Sequence, residues 1–448
     1  MADFYAMHVI EALRSGVPSR AVGAYFSEAR PGMMKKIEGR MEAVRSGGPS
    51  DGMIFTGHYG EGKTHLLNTV FSIATQNNMA VSYVALGKET PMSNLPVLYQ
   101  KIIANTYLPG AAQPGFRQKM EELTPGSGVT GDLLAFSAKE LETDKLYYLL
   151  RAMLGTQEEE ERASFLGDLE GDFVSNDVIK RCYRRVQGQV AKFNQNFVKT
   201  RHIGDYFRFM SLFFRRIGLD GWVILFDEAE LIGRIGKKTR LKSYREMQRF
   251  LSPGDQLESV FSLFALSSSY AEDVIDKKHE MENAEAEYAE DPAGLKAIKA
   301  TLNAMLNAPE LAKLTPAETL RILESIQEFH GKAYDWHPQV SRRRSMPRRK
   351  RAGICCGQKS APRSSILTSC ISTGKPGRQK SLRWGRSPLR RTTPRNCRKV
   401  DQGGAGTNGD SPQWFRRQGG LSPMAPALER KEGNCKDENR LRKGNQEQ

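Results

Sequence analysis

A glycine-rich loop between a short apolar run and a helical segment constrains this 448-residue chain more than any other feature. The loop, Gly57-His58-Tyr59-Gly60-Glu61-Gly62-Lys63-Thr64, fits the pattern G-x-x-x-x-G-K-[ST]. Residues 53–56 before it are a short apolar run, and residues 65–75 after it have helical spacing. A phosphate-binding loop requires this strand, loop and helix order, because backbone N–H groups and the helix N-terminus then face the phosphates.

The loop pattern predicts a role for each of its defining residues. The glycines would let the backbone close around phosphates, and the lysine would contact the β- and γ-phosphates and take part in catalysis. The threonine hydroxyl would be a ligand of Mg²⁺. We therefore expect ATP and Mg²⁺ as ligands of this loop. The predicted nucleotide-binding residues are Gly57, Gly60, Gly62, Lys63, Thr64 and His65.

The most apolar segment of the chain, residues 221–226, ends in two acids. A continuous apolar run suits a strand that is buried on both faces of a parallel sheet, and a P-loop ATPase carries its Walker B carboxylate at such a strand end. Asp227 would support Mg²⁺, and Glu228 would polarise the attacking water. The sequence from Asp227 to Glu230 also resembles helicase motif II, but too few well-patterned residues follow residue 270 for the second domain that a helicase needs.

A serine triplet follows the next apolar run, residues 260–266. Related ATPases keep a polar residue there that senses the γ-phosphate, so Ser268 is a third catalytic candidate beside Glu228 and Lys63. A plain turn from a strand into a loop explains the triplet almost equally well.

A basic stretch lies between the two apolar runs. It could supply an arginine finger that acts across a subunit interface, contact nucleic acid, or form a solvated helix face. The candidates for an arginine finger are Arg240, Arg245 and Arg249.

The net charge of +16 comes from the C-terminal segment of the chain. Residues 341–448 hold 27 Lys and Arg against 7 Asp and Glu, whereas residues 1–340 hold 40 against 44. The basic segment has no hydrophobic period and cannot build a core, so it is predicted to be disordered.

The basic segment could be a nucleic-acid-binding arm. Alternatively it is translated out of frame, because codons permitted in a shifted frame over residues 353–373 spell an amphipathic helix. We favour the frameshift and do not interpret the segment as a DNA-binding patch.

Composition also limits the class of protein. The chain has no apolar run of about 18 residues, so no membrane span is expected. Its N-terminus lacks the apolar region of a signal peptide, which favours a cytoplasmic location. Cys182 is the only cysteine before residue 341, so no disulfide framework is expected. The cysteines and histidines show no zinc spacing, and His202 and His65 are interpreted as packing or surface residues rather than metal ligands.

These segments predict an α/β fold with a parallel sheet, specifically a P-loop NTPase of the additional-strand, AAA-like type. Residues 1–50 would form a helical lead-in and residues 51–270 the ATPase core. A helical insertion would span about residues 109–200. Residues 271–340 would form a helical C-terminal subdomain before the disordered tail.

Four parts of the chain together resemble one known family. They are residues 10–18, the loop with His58 and Tyr59 inside it, the segment from Asp227 to Glu230, and residues 329–336. Over about residues 5–340 the chain is similar to the BREX-system ATP-binding proteins (BrxD-like) of bacterial phage defence, and the shifted-frame helix resembles that family's C-terminus.

The resemblance implies an ATP-hydrolysing motor or switch in phage defence. Its expected partners are DNA or other defence-system proteins such as a helicase, and a homo-oligomer is a further expectation. Two alternatives stay open: a nucleotide-dependent interaction or signalling module with little turnover, and a DNA-associated ATPase outside phage defence. The intact Glu228 favours hydrolysis.

Overall fold

The computed structural model describes residues 4–15 and 30–334, and the structural statements below refer to them. The basic segment 341–448, with the frameshift hypothesis attached to it, lies outside the described residues. So do residues 16–18 and 335–336, which belong to two of the segments that carry the family resemblance.

Five strands form one sheet in the order β1-β5-β4-β2-β3. The pairs β1·β5, β5·β4 and β4·β2 are parallel, which confirms the predicted α/β class with a mostly parallel sheet. The strands are β1 (Met53–Gly57), β2 (Ala80–Ala85), β3 (Thr106–Tyr107), β4 (Trp222–Asp227) and β5 (Val260–Ser267).

The edge strand β3 runs antiparallel to β2, so the sheet is mostly parallel with one antiparallel edge strand. A buried chain of side-chain hydrogen bonds fixes this strand. Trp222 Nε1 donates to Ser82 Oγ at 2.8 Å, and Ser82 Oγ lies 2.7 Å from Thr106 Oγ1. These bonds join β4, β2 and β3 inside the core, where an unpaired hydroxyl or indole N–H would be costly.

Helices cover both faces of the sheet, which explains why the central strands are apolar throughout. Phe55, Leu225 and Leu263 point into a core shared with the helices at 31–45 and 63–76. Phe226 and Phe264 point to the other side, where their rings stack with centroids 4.3 Å apart. Burial on both faces leaves no solvent side for polar residues.

The described residues form fourteen α-helices, and the one after the glycine-rich loop, Lys63–Gln76, lies close to the predicted helical residues 65–75. Those up to β4 are α1 (Phe4–Ser15), α2 (Pro31–Arg45), α3 (Lys63–Gln76), α4 (Leu95–Ala104), α5 (Arg117–Glu121), α6 (Gly128–Lys139), α7 (Lys145–Gly155), α8 (Glu159–Gly167), α9 (Asn176–Gln187) and α10 (Lys199–Arg216). Those after β4 are α11 (Lys237–Leu251), α12 (Glu280–Glu287), α13 (Pro292–Leu306) and α14 (Pro316–Tyr334).

Two of the last described helices begin at prolines. Pro292 is the first residue of α13, and Pro316 is the first residue of α14. A proline fits the first helical turn because its missing N–H would have no helical partner there. Gly294 lies inside α13, where its N–H donates to Asp291 Oδ1 at 2.9 Å and so caps the helix. None of the described helices is long and apolar enough to cross a membrane.

The region of the predicted insertion contains a buried ion pair. Lys145 Nζ lies 2.6 Å from Asp168 Oδ2, and both side chains are 0% exposed. Tyr206 donates to the other carboxylate oxygen of Asp168 at 2.6 Å, and the Lys145 ammonium lies 4.1 Å from the Phe197 ring centroid. Burial lowers the pKa of Lys145 and raises that of Asp168, while their mutual attraction opposes both shifts.

The first and last described helices pack together. Ala6, Val9 and Ile10 of α1 form a small core with Phe329 and Ala333 of α14. This core joins two segments that are more than 300 residues apart in the sequence, and the Tyr334 hydroxyl donates to Glu11 Oε1 at 3.0 Å beside it.

Candidate functional site

The glycine-rich loop leaves β1 at Gly57 and enters α3 at Lys63. Gly60 and Gly62 have φ angles of +81° and +92°, which a residue with a Cβ rarely adopts, so these two positions require glycine. The Glu61 carboxylate accepts the backbone N–H of His58 at 2.8 Å and closes the loop on itself. The chain therefore delivers the positive end of a helix dipole directly after a tight glycine turn.

Thr64 and Asp227 meet although 163 residues separate them. Thr64 Oγ1 donates to Asp227 Oδ2 at 2.8 Å. Tyr83 also donates to that oxygen, at 2.6 Å. Tyr83 pairs with Leu225 in the β2·β4 register, so its side chain leaves the same sheet face as Asp227. This face is the one that α3 covers.

Lys63 lies over the end of the sheet, with a side chain only 11% exposed. Its ammonium donates to the Gly57 carbonyl at 3.2 Å and lies 3.7 Å from Glu230 Oε1. Glu230 follows β4 in a short 3₁₀ turn, Ala229–Arg234. The lysine of the loop is thus brought to the acidic strand end.

Glu228 occupies a strained backbone position. Its φ of +57° is in the left-handed region, which non-glycine residues adopt infrequently. Its N–H donates to Asp227 Oδ1 at 2.9 Å. Burial raises the pKa of Glu228, and the neighbouring charges of Glu230 and Asp227 raise it further, whereas Lys63 and Arg234 lower it. A carboxyl whose pKa is raised by burial and by neighbouring negative charges is a candidate for proton transfer.

Ser268 lies beside the start of the glycine-rich loop. Ser267 pairs with Gly57 in the β1·β5 register, and the Ser268 N–H donates to the Gly57 carbonyl at 3.3 Å. The Ser268 hydroxyl is buried and has no hydrogen-bond partner among the described residues. The structure therefore brings Ser268, Lys63 and Glu230 to the same edge of the sheet.

His65 and Arg30 extend the site on the helix side. Arg30 donates to the Glu61 carbonyl, and burial together with the Arg30 charge lowers the pKa of His65 to about 4. His65 is one of the nucleotide-binding residues that the sequence predicts, whereas Arg30 and Tyr83 are not among them. Neither belongs to a recognisable motif, and only the strand order and the start of α2 bring them to the loop.

The lowered pKa of His65 predicts a pH-dependent stability. An unfolded histidine titrates near pH 6.5, so between about pH 6.5 and 4 the unfolded chain binds more protons at this position than the folded chain. Stability from this residue is complete above pH 6.5 and falls as the pH is lowered. Between pH 7 and 5 the wild type should lose about 2 kcal/mol more free energy of unfolding than His65→Gln. Chemical denaturation at both pH values measures this difference. The prediction is wrong if the free energy of unfolding of the two proteins changes equally between the two pH values.

The arginine-finger candidates lie in α11. Arg240 forms a buried two-bond ion pair with Glu280, so its guanidinium is engaged inside the fold, and we withdraw it as a candidate. Arg245 and Arg249 both bond to Glu246. They lie towards the C-terminus of α11. This end of the helix meets the start of β1, where the Gly52 N–H donates to the Leu251 carbonyl. That end is opposite to the glycine-rich loop of the same chain.

No three His, Cys, Asp or Glu side chains gather as a metal site within residues 4–15 and 30–334. Mg²⁺ does not require such a cluster, because it keeps several waters and is bound by one or two protein oxygens together with substrate phosphates. The Thr64 hydroxyl and the Asp227 carboxylate provide two hard oxygen ligands 2.8 Å apart. The residues present therefore fit a magnesium–nucleotide complex.

Comparison with protein families identifies the chain. Residues 4–120 and 146–366 match the family model described as BREX system ATP-binding protein BrxC/D. The match covers most of the chain, and the chain therefore belongs to this family of ATP-binding proteins. The unmatched residues 121–145 lie in the predicted helical insertion, and the match extends beyond residue 340, where sequence analysis ended the resemblance. Neither the curated proteins nor the solved structures gave a match.

Proposed function

We propose that this protein binds Mg-ATP in a P-loop and hydrolyses it as part of a bacterial phage-defence system. Membership of a BREX ATP-binding family supports ATP as the ligand and the defence system as the context. The glycine-rich loop would be the Walker A element, and the acidic end of β4 would be the Walker B element.

The strand order supports the additional-strand type of P-loop fold. That type is named for a strand between the one that precedes the loop and the one that ends in the acids. Here β5 lies between β1 and β4. Beyond β1, the Leu311 N–H donates to the Thr56 carbonyl at 2.8 Å, and Glu310 forms a parallel bridge with Thr56. These bonds extend the sheet on the side of β1 away from β5.

The observation that carries the proposal is the hydrogen bond between Thr64 and Asp227. It joins the last residue of the loop motif to the strand-end acid across the fold. A threonine and an aspartate held together in this way are the two protein groups that P-loop enzymes use to hold Mg²⁺.

Each residue of the site would then have a separate role. Lys63 and the loop N–H groups bind and orient the phosphates, and Glu228 polarises the attacking water as a general base. The Ser268 hydroxyl donates to the terminal phosphate. Bound Mg²⁺ would neutralise charge on the phosphate oxygens.

Single-turnover hydrolysis of radiolabelled ATP, measured with and without DNA, tests this function. We expect one equivalent of ADP to form, at a rate well above that of buffer alone. Tight ATP binding without turnover would instead favour a nucleotide-dependent interaction module. Turnover that depends entirely on DNA would favour a DNA-associated motor, and the absence of ATP binding would contradict the proposal.

A further inference from the structure

The ion pair between Lys63 and Glu230 crosses the end of a strand. Lys63 follows the loop after β1, and Glu230 follows β4, but these strands are not neighbours because β5 lies between them. Neighbouring strands are about 4.8 Å apart, so the ends of β1 and β4 are about 10 Å apart. The loop after β1 and the turn after β4 nevertheless bring Lys63 Nζ to 3.7 Å from Glu230 Oε1, beyond the end of β5.

The other carboxylate oxygen of Glu230 has no donor. Glu230 Oε2 is buried and lacks a hydrogen-bond partner within the described part of the chain, as does the hydroxyl of Ser268 at the end of β5. Buried polar atoms are nearly always satisfied in folded proteins, so two open atoms at one sheet edge mark a place where a ligand or its water completes the bonding.

Phosphate binding competes with this ion pair for the Lys63 ammonium. When the ammonium turns towards the β- and γ-phosphates, its attraction to Glu230 weakens, and the carboxylate then lies next to a negatively charged ligand. Both effects oppose nucleotide binding, and both come from the negative charge of Glu230 rather than from its size.

We propose that Glu230 is a positioning residue that holds the Lys63 ammonium across the end of β5 and competes with the nucleotide phosphates for it. Glu230 thereby sets the affinity for ATP. This inference rests on the proposed function, because it requires Lys63 to be the phosphate-binding lysine.

The test measures nucleotide affinity by isothermal titration calorimetry on the full chain. Glu230→Gln keeps the shape of the side chain and removes its charge, so we expect an ATP dissociation constant about threefold to tenfold lower than that of the wild type. Glu230→Asp retains the charge and should show no such tightening. Glu230→Ala is the second variant if Glu230→Gln does not fold, and it carries the same expectation.

Glu310→Gln is the matched control. Glu310 lies beside β1 and pairs with His58 rather than with Lys63, so its replacement removes one negative charge near the loop without releasing the lysine. The inference is overturned if Glu230→Gln binds ATP with wild-type affinity, or if Glu310→Gln tightens binding equally. If the wild type does not bind ATP, or if Lys63→Ala binds it as well as the wild type, the proposed function fails first and the inference fails with it.

Discussion

Lys63→Ala is expected to abolish tight ATP binding. The Lys63 side chain is only 11% exposed and would give the phosphates a charge-assisted hydrogen bond. Loss of such a bond costs about 1.5 to 3 kcal/mol, which weakens binding about tenfold to a hundredfold. The contacts that Lys63 makes in the fold are the Gly57 carbonyl and Glu230, so the variant should stay folded. Calorimetric titration with Mg-ATP measures the loss, and circular dichroism checks the fold.

Glu228→Gln separates binding from turnover in the same site. The variant keeps a side chain of the same size and should bind ATP with at least wild-type affinity. It removes the proposed general base, and loss of such a group slows the chemical step about 100-fold to 10,000-fold. Glu272→Gln is a control on an exposed acid, 79% exposed, that follows β5. If Glu228→Gln hydrolyses ATP at the wild-type rate, another group is the base.

Lys145→Ala is expected to have the largest effect on stability. It leaves the Asp168 carboxylate fully buried without a counter-charge, since Tyr206 would be its remaining side-chain donor. Breaking a buried pair from one side typically costs about 3 to 5 kcal/mol. Unfolding by urea, followed by circular dichroism, should show this loss.

Two further variants test whether the unpaired buried charge of Asp168 causes this loss of stability. Arg117→Ala breaks an exposed pair with Glu170 in the same region and should cost less than about 1 kcal/mol. Lys145→Met combined with Asp168→Asn removes both charges and keeps an acceptor for Tyr206, so it should recover much of the loss. If the free energy of unfolding of Lys145→Ala lies within about 1 kcal/mol of the wild-type value, the buried pair contributes little to stability.

The sequence predicts the loop and the acidic strand end because each is a local pattern. The glycines, Lys63 and Thr64 are contiguous, and the apolar run before Asp227 specifies a strand buried on both faces. The glycine-rich loop and the acidic strand end are expected to meet because parallel strands end at a common edge of the sheet. The structure brings Thr64 to within 2.8 Å of Asp227, as that argument requires.

Other parts of the site depend on which strands are neighbours, and sequence analysis could not order them. The contact between Lys63 and Glu230 depends on the loop after β1 and the turn after β4 meeting beyond the end of β5, and Tyr83 reaches Asp227 because β2 lies beside β4. The two-residue strand β3 is too short to show any period. The engagement of Arg240 by Glu280 depends on how α12 packs on α11.

The pairing of α1 with α14 sets the order in which this protein can be completed. During synthesis α1 is translated before α14, and the residues of α14 that cover Val9 and Ile10 follow more than 300 residues later. At ordinary translation rates the interval is on the order of tens of seconds, far longer than a helix or a loop needs to form. The apolar face of α1 therefore lacks its cover from α14 while the sheet and the glycine-rich loop are translated and can assemble, which makes this face a target for a chaperone.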